Sequence, residues 1–125
     1  MIKGMEGVTL FSGNPKQLAD FYGKTVGVKM TFEAELGGGD DLYGFEAKGG
    51  ANLYITSHSR VKGKNSQPER IIVNLEVDDI EKETARLKKA KAKLVADIYH
   101  IQDYGYIATF EDPDGNYFQL VKTKA

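Results

Sequence analysis

Polar side chains recur at every second position of segments that are otherwise apolar and strand-like. Asn52, Tyr54 and Thr56 form one such set, and Asn74 and Glu76 form another. Because successive side chains of a β-strand point to opposite faces, each set shares one face of its strand. A packed core disfavours such groups, since an unpaired buried polar group costs about 1–3 kcal/mol. Amides, hydroxyls and a carboxylate beside aromatic side chains are typical of a small-molecule binding site instead.

Other kinds of catalytic site find little support in the sequence. The chain has no cysteine, which excludes disulfides, thiolate metal sites and cysteine nucleophiles. No serine, histidine and acid have the spacing of a catalytic triad, and no glycine-rich phosphate loop follows a strand and opens a helix. The glycines at 37–39 indicate a flexible hairpin between two strands. The acidic pairs Asp40–Asp41 and Asp112–Asp114 are explained better by turns than by metal binding.

Composition limits the class of protein and its partners. The 125 residues can form one domain or two very small fused modules, and 41% of them are hydrophobic, as in a globular protein with a core. The 17 basic and 18 acidic residues nearly cancel, so neither nucleic acid nor an acidic membrane surface is expected as a partner. The apolar runs are too short to span a bilayer and the N-terminus lacks a signal-peptide core, so a cytoplasmic protein is expected.

The elements that must position the polar residues occur in the same order twice. In the first half, a strand at residues 5–12 precedes a helix that Asn14 can cap, Pro15 can open and Gly27 can end. Three strand-like segments follow, at residues 28–36, 42–48 and 51–57. The polar segment 59–69 contains Gly, Ser, Asn and Pro and is the candidate linker.

The second half repeats this plan. A strand at residues 70–77 ends at Asp78 and Asp79, either of which can cap the next helix. The buried stripe of that helix is predicted at Ile80, Thr84, Leu87 and Leu94, beside Ala85 and Ala90. The remaining strands are predicted at residues 95–101, 106–110 and 117–122. Each half is therefore predicted to be β-α-β-β-β.

A sharp turn separates the last two strands, at Asp112-Pro113-Asp114-Gly115-Asn116. Proline fixes φ at the second turn position, the first aspartate can bond the turn backbone, and Gly115 can adopt the left-handed conformation that the exit demands. These residues predict a tight antiparallel hairpin.

This turn resembles the Asp-Pro-(Asp/Glu)-Gly-Asn signature of the vicinal oxygen chelate family, which includes glyoxalase I, extradiol dioxygenases, fosfomycin-resistance enzymes and bleomycin-resistance proteins. The resemblance extends from about Glu6 to Thr123 and also rests on Leu18-Ala19-Asp20-Phe21-Tyr22 and Val77-Asp78-Asp79-Ile80. It implies an α+β fold in which two βαβββ modules, at about 5–58 and about 70–123, form curved mixed sheets around a cavity. The modules would make a single domain over residues 1–125. Many members are dimers, so a homodimer is expected.

The resemblance also implies where a metal would bind in the family's enzymes, and this chain departs from the family at all four positions. The first-strand His is replaced by Gly7 and the fifth-strand His by Ile72. The fourth-strand ligand falls at about Tyr54, and the eighth-strand Glu is replaced by Gln119. Two of these residues lack a donor, a phenol binds a divalent ion poorly unless it ionises, and Gln offers only a neutral amide. No metal and no cofactor are therefore expected.

A rebuilt metal site is the alternative. By strand alternation His58 shares a face with Tyr54, and His58, Glu76 and Gln119 could bind a metal in a geometry different from the family's. A solvated or hydrogen-bonded histidine is the simpler interpretation of His58 and of His100. If Glu76 is buried, its carboxylate needs a cationic partner or a raised pKa, and it could be the acid–base group of a metal-free enzyme.

These patterns predict a metal-free protein that binds an unknown small molecule. The residues expected at the binding site are Thr9, Phe11, Asn52, Tyr54, Thr56, Asn74, Glu76, Tyr106 and Gln119. One or two of Tyr99, Tyr104 and Tyr106 are expected at the opening of the cavity, and no catalytic residue is assigned. The alternatives are a glyoxalase- or dioxygenase-like enzyme, with rebuilt ligands or metal-free acid–base chemistry, and a structural or interaction protein with a collapsed cavity. Asn74, Glu76 and Gln119 could also simply bond to one another or to water.

Overall fold

The computed structural model describes residues 1–35, 41–47 and 49–124. The chain divides into two compact units, Met1–Gly63 and Lys64–Ala125. The elements of the first unit are β1 (Gly7–Phe11), α1 (Pro15–Asp20) with a π-helical continuation (Phe21–Val26), β2 (Met30–Glu35), β3 (Asp41–Glu46) and β4 (Asn52–Thr56). Those of the second are a 3₁₀ turn (Pro68–Arg70), β5 (Val73–Glu76), α2 (Ile80–Lys89), β6 (Lys93–Ile101), β7 (Gly105–Glu111) and β8 (Tyr117–Thr123). The predicted α+β fold with two βαβββ modules is confirmed.

The first unit is a four-stranded mixed sheet in the order β1-β4-β3-β2, in which β1 and β4 run parallel. Leu53 and Ile55 of β4 are buried, whereas their neighbours along the strand are partly exposed. The helix lies on this buried face, because a Cβ added at Gly23 of the π-helical segment would lie 3.5 Å from Cε2 of Phe45. The register pairs Phe45 with Leu53, which places both under the helix. The other face of this sheet is therefore not covered by the helix.

The second unit repeats the arrangement in the order β5-β8-β7-β6, with β5 and β8 parallel. Phe110 and Phe118 are cross-strand partners on β7 and β8, fully buried, with ring centroids 5.8 Å apart. Helix α2 contributes its buried stripe at Ile80, Thr84 and Leu87, as predicted. That the two units form one domain over residues 1–125 stays a prediction.

Both helices begin at the predicted caps. The backbone N–H of Gln17 donates to Asn14 Oδ1 at 3.2 Å, and Gly27, with φ of 97°, ends the first helix. At the second helix the backbone N–H of Lys82 donates to Asp79 Oδ1 at 3.0 Å. The structure therefore selects Asp79 over Asp78 as the cap, since a capping side chain must accept from an N–H of the first turn.

The predicted buried stripe is wrong at its far end. Helix α2 ends at Lys89, and Lys91 then adopts φ of 64°, a left-handed conformation that turns the chain away from the helix axis. Leu94 consequently belongs to β6 and is 37% exposed. Ala85 and Ala90 are exposed rather than buried.

The first five strands are shorter than or shifted from the predicted segments, whereas β6, β7 and β8 extend beyond their predicted segments by one or two residues. The clearest difference is at the start of the second unit, where Arg70 lies in a 3₁₀ turn and Ile72 precedes β5. The predicted hairpin at 37–39 and Asp40 lie outside the described residues. In the described part of the chain, no helix is long and apolar enough to cross a membrane.

The predicted turn before β8 is confirmed. The N–H of Gly115 donates to Asp112 O at 3.0 Å, and Asp112 Oδ1 accepts the N–H groups of Asp114 at 2.9 Å and of Asn116 at 3.0 Å. Gly115 has φ of 80°, which favours glycine. The turn fixes the β7–β8 register, so that Phe110 pairs with Phe118 and Thr109 with Gln119.

Candidate functional site

The face of the first sheet opposite the helix, called the open face below, brings five predicted site residues together. The parallel register pairs Thr9 with Tyr54 and Phe11 with Thr56. Asn52 lies two residues from Tyr54 on β4 and therefore on the same face. Thr9 and Phe11 are exposed, and the three β4 side chains are partly exposed.

A hydrogen-bond network of three side chains lies at one edge of the open face, where β4 begins. The Tyr54 hydroxyl donates to the Glu6 carboxylate, and Asn52 Nδ2 lies 3.3 Å from Glu6 Oε2 and 3.4 Å from the Tyr54 oxygen. Sequence analysis missed Glu6. It precedes β1, where strand alternation no longer applies, and it reaches the network because its own carbonyl accepts the Asn52 N–H at 2.9 Å. No sequence signal indicates this contact.

The Glu6 carboxylate raises the pKa of Tyr54, because it accepts the phenolic proton and disfavours a second negative charge beside it; the hydrogen bond from Asn52 acts in the opposite, weaker direction. The phenol is therefore held in its neutral form. A neutral phenol is a hydrogen-bonding group and not a metal ligand.

Two exposed aromatic side chains share the open face with this network: one lies beside Tyr54, and the other lies at the end of β1 that is far from Glu6. A Cβ added at Gly44 would lie 3.2 Å from Cβ of Phe32 and 3.6 Å from Cδ1 of Tyr54, so both rings lie over this glycine. Phe32 is 50% exposed and Phe11 is 44% exposed, and the ring of Phe11 meets that of His58 edge-on at 5.4 Å. Phe32 was also missed. Alternation along β2 could have indicated it, but the register shift between Met30 and Phe32 is not readable from the sequence.

The open face is acidic. Glu46 pairs with Asn52 in the β3–β4 register and therefore lies on the same face as the network. Among the described residues, neither Glu6 nor Glu46 forms a salt bridge. A cavity of about 490 Å³ adjoins this edge of the face, and Lys29, Glu46 and Asn52 line it. Among the described residues, two carboxylates beside one ammonium group leave the region with an excess of negative charge.

In the second unit, three predicted residues share one face of the sheet. Asn74 pairs with Gln119, and Glu76 lies two residues further along β5. Gln119 Nε2 donates to Thr109 Oγ1 at 3.1 Å, and Glu76 Oε2 accepts from Thr123 Oγ1 at 2.9 Å. The side chains of Gln119 and Glu76 are thus bonded to hydroxyls of their own sheet rather than to each other.

Tyr106 lies on the opposite face of this sheet from Gln119. The β7–β8 register pairs Tyr106 with Lys122, whereas Gln119 pairs with Thr109, and the two pairs are an odd number of residues apart. Counting back from the turn at 112–116 would have given this result from the sequence, because a tight hairpin fixes the register.

The four positions at which the resemblance implies metal ligands do not form a suitable donor set. Gly7 and Ile72 carry no donor, and Tyr54 keeps its proton. The amide nitrogen of Gln119 donates to Thr109 Oγ1, and its amide oxygen is only a neutral ligand atom. In the described ranges, no group of three or more His, Cys, Asp or Glu side chains is arranged to hold a metal ion. A hard or borderline divalent metal requires several charged or strongly basic donors, which these four side chains do not supply.

The rebuilt set suggested by the sequence also has other hydrogen-bond partners. His58 Nδ1 accepts the backbone N–H of Arg60 at 3.0 Å and lies in the first unit. Glu76 and Gln119 lie in the second unit and are bonded as described above. The hydrogen-bonded interpretation of His58 agrees with this geometry.

Comparison with known proteins identifies the family. A model of the Glyoxalase/Bleomycin resistance protein/Dioxygenase superfamily matches residues 4–120. The chain belongs to this superfamily. No curated protein sequence matches the chain. The superfamily contains both binding proteins and enzymes, so membership leaves the activity of this member open.

Solved structures share the superfamily fold over almost the whole chain. TnmS3, an antibiotic binding protein from Streptomyces sp. CB03234, has a TM-score of 0.76 at 21% identity and covers 98% of both chains. Glyoxalase I of Leishmania major has a TM-score of 0.75 at 18% identity, over 97% of this chain and 87% of that one. The fosfomycin resistance protein FosX of Listeria monocytogenes has a TM-score of 0.73 at 16% identity, over 99% and 96%. At these identities the comparisons establish the fold.

Proposed function

We propose that the protein binds a flat aromatic molecule carrying a cationic group on the open face of its first sheet, without a metal ion. The observation that carries the proposal is the hydrogen-bond network of Glu6, Tyr54 and Asn52. The same face of the sheet exposes the ring of Phe32, beside Tyr54, and the ring of Phe11, at the other end of β1. Exposed aromatic walls around a few convergent polar groups are typical of a small-molecule site. TnmS3, a structural neighbour, is an antibiotic binding protein, which is consistent with sequestration of a small molecule.

The charge of the ligand follows from the carboxylates of the open face. Glu6 and Glu46 form no salt bridge in the described part of the chain, so a cationic group on the ligand would gain a charge-assisted hydrogen bond there. The rings of Phe11 and Phe32 offer apolar and cation–π contacts to the same molecule.

Metal-free binding follows from the chemistry of the open face. Tyr54 keeps its proton and donates it in a hydrogen bond to Glu6, and the position expected for the first-strand ligand is a glycine. The site therefore acts by shape, aromatic contact and hydrogen bonding rather than by Lewis-acid chemistry. Elemental analysis of purified protein is expected to give substoichiometric Zn, Ni, Mn and Fe, and added chelator is expected to leave ligand affinity unchanged.

The test uses proflavine, a planar aromatic cation whose fluorescence and NMR signals report binding. We expect saturable binding that shifts the imidazole signals of His58, since its ring lies against Phe11. Glu6→Gln and Phe11→Ala should each weaken binding about tenfold, which corresponds to the loss of one charge-assisted hydrogen bond or one aromatic contact. Glu33→Gln is the matched control, because Glu33 pairs with Tyr43 on the helix side of the same sheet.

The proposal fails if proflavine does not bind, if Glu33→Gln weakens binding as much as Glu6→Gln does, or if affinity requires a stoichiometric metal. Circular dichroism of each variant separates lost binding from lost folding.

An enzyme is the second candidate, and its metal-free form would use Glu76 as the acid–base group. Glu76 is exposed rather than buried, and its carboxylate accepts a hydrogen bond from Thr123. A Glu76→Gln variant that abolishes a turnover measured with the native protein would support it. We also expect a cytoplasmic homodimer, which sedimentation equilibrium and cell fractionation test.

A further inference from the structure

A second cavity lies in the second unit, where the β6–β7 hairpin meets the end of β8. Its volume is about 420 Å³, within the range of small-molecule sites. Three aromatic rings and three charged side chains carry the chemistry of its wall: His100, Tyr104, Tyr106, Asp103, Lys122 and Lys124. None of these residues belongs to the open face of the first sheet.

The wall of this cavity contains a row of side chains aligned across three strands. His100 of β6 pairs with Tyr106 of β7, and Tyr106 pairs with Lys122 of β8. Paired residues of antiparallel strands project from the same face, so imidazole, phenol and ammonium stand side by side. The His100 and Tyr106 rings are 4.8 Å apart at an angle of 41°. The row offers an aromatic surface with a cation at one end.

The cavity carries an excess of positive charge. Lys124 Nζ lies 3.5 Å from Asp103 Oδ1, so these two charges offset each other. Lys122 Nζ donates to the Thr123 carbonyl at 3.3 Å and makes no salt bridge with any described residue. Lys122 is also partly buried, so water screens its charge less than it would screen that of a fully exposed lysine. An anion at this ammonium would therefore gain a charge-assisted hydrogen bond.

Backbone contacts hold the hairpin loop and β7 close to β8 around this cavity. The N–H of Lys124 donates to Tyr104 O at 2.8 Å, which ties the hairpin loop to the end of β8. Asp103 adopts φ of 67°, an uncommon conformation for a residue other than glycine. Gly105 has φ of 144°, and a Cβ there would lie 2.0 Å from the Lys122 carbonyl oxygen. This close approach holds Tyr106 beside Lys122 in the cavity wall.

We propose that this cavity binds a planar aromatic anion, a carboxylate or a sulfonate, with its ring against Tyr106 and His100 and its anionic group at Lys122. Its ligand is opposite in charge to that of the open face. The cavity also lies on the other face of the second sheet from Gln119, because Tyr106 and Lys122 project from that face. The proposal does not rest on the proposed function.

Two histidines, one beside each site, make the test specific. We would titrate the whole protein with 2-naphthoate and follow both imidazoles by NMR. Saturable shifts are expected at His100, while the His58 signals, which report the open face, stay unchanged. 2-Naphthol lacks the charge and cyclohexanecarboxylate lacks the aromatic ring, so each is expected to bind at least several-fold more weakly.

Substitutions of Lys122 and Tyr106 test the proposed contacts with the anionic group and with the ring of the ligand. Lys122→Gln should weaken 2-naphthoate binding about tenfold, Lys122→Arg should retain it, and Tyr106→Leu should weaken it several-fold. Lys93→Gln is the matched control, because Lys93 lies at the other end of β6 and pairs with Glu111 at 3.4 Å. Equal binding of cyclohexanecarboxylate, shifts confined to His58, or an affinity that Lys122→Gln leaves unchanged would overturn the proposal. Proflavine binding to the open face is measured separately through the His58 signals, so failure of one site is distinguished from failure of the other.

Discussion

The ring of Tyr54 lies against Gly7, so a side chain larger than that of glycine does not fit at position 7 of β1. A Cβ added at Gly7 would lie 2.9 Å from Tyr54 Cε2 and 2.5 Å from the carbonyl oxygen of Asn52. Neither distance is compatible with a real Cβ contact, and one of the two involves backbone. The glycine and the tyrosine are thus physically coupled: a histidine at position 7 and this tyrosine cannot both fit without movement of β4.

Gly7→Ala is therefore expected to destabilise the protein by about 1–3 kcal/mol, the usual cost of adding a methyl group to a filled site. Urea unfolding measures the loss. In a Tyr54→Ala background the cost of Gly7→Ala should fall but persist, because the contact with the Asn52 carbonyl remains.

The control for this substitution is Gly23→Ala, where the new Cβ would meet only Phe45 Cε2 at 3.5 Å, an ordinary contact. That variant should be neutral or slightly stabilising, because alanine has the higher helix propensity. If Gly7→Ala is as well tolerated as Gly23→Ala, the close approach of β1 and β4 is not as described.

The pKa of Tyr54 gives a prediction at alkaline pH. Glu6 raises this pKa above the ordinary value of 10.0, so the bond between the two side chains stabilises the fold fully below the pKa of an unfolded tyrosine. That contribution is lost as the pH rises through the higher pKa of the folded state. Phenolate absorbance should show Tyr54 titrating late in the native protein, and its midpoint should fall in Glu6→Gln.

Tyr43 complicates the absorbance measurement, because burial and the neighbouring Asp41 raise its pKa as well. Subtracting the titration of Tyr54→Phe from that of the native protein isolates Tyr54. A Tyr54 midpoint that is the same in the native protein and in Glu6→Gln would show that the two side chains do not interact in solution.

Local sequence signals predicted the fold because each depends on a few neighbouring residues. Asn14 and Gly27 bound the first helix, and the turn beginning at Asp112 sets the last hairpin, as their types predict. Leu94 was misplaced for a related reason: its spacing from Leu87 fits a helix, but Lys91 turns the chain first. A left-handed lysine carries no signal in its residue type.

The candidate site was predictable only where strand alternation applies. Thr9, Asn52 and Tyr54 share a face as expected, because they lie within regular strands. Glu6 joins them from outside β1, and Phe32 joins them across a strand pair with a register shift. Contacts of both kinds depend on the path of the backbone in space, which a period of two residues does not encode.

The cap of α2 tests a choice that the sequence left open. Asp79 accepts the N–H of Lys82 at 3.0 Å, whereas its neighbour Asp78 lies outside the cap position. Asp79→Ala should therefore lower the free energy of unfolding by about 1 kcal/mol, the typical value of a helix cap. Asp78→Ala is the matched control and should change it by less than about 0.5 kcal/mol. Equal losses in the two variants would contradict the assignment.

Gly105 should be the least replaceable glycine of the second unit. Its φ of 144° disfavours any side chain, and a Cβ would lie 2.0 Å from the carbonyl oxygen of Lys122. Gly50 separates the two effects, since its φ is 130° but a Cβ there would meet nothing within 4 Å. Gly50→Ala is expected to cost about 1–2 kcal/mol, from the backbone conformation alone. Gly105→Ala should cost at least about 2 kcal/mol more, because β7 must also move away from β8. Urea unfolding of the two variants gives the difference directly.

A large difference in unfolding free energy, with weaker 2-naphthoate binding in any folded fraction, is expected if this close approach holds Tyr106 beside Lys122. A small difference would mean that β7 can shift freely. In that case the affinity for 2-naphthoate should survive Gly105→Ala.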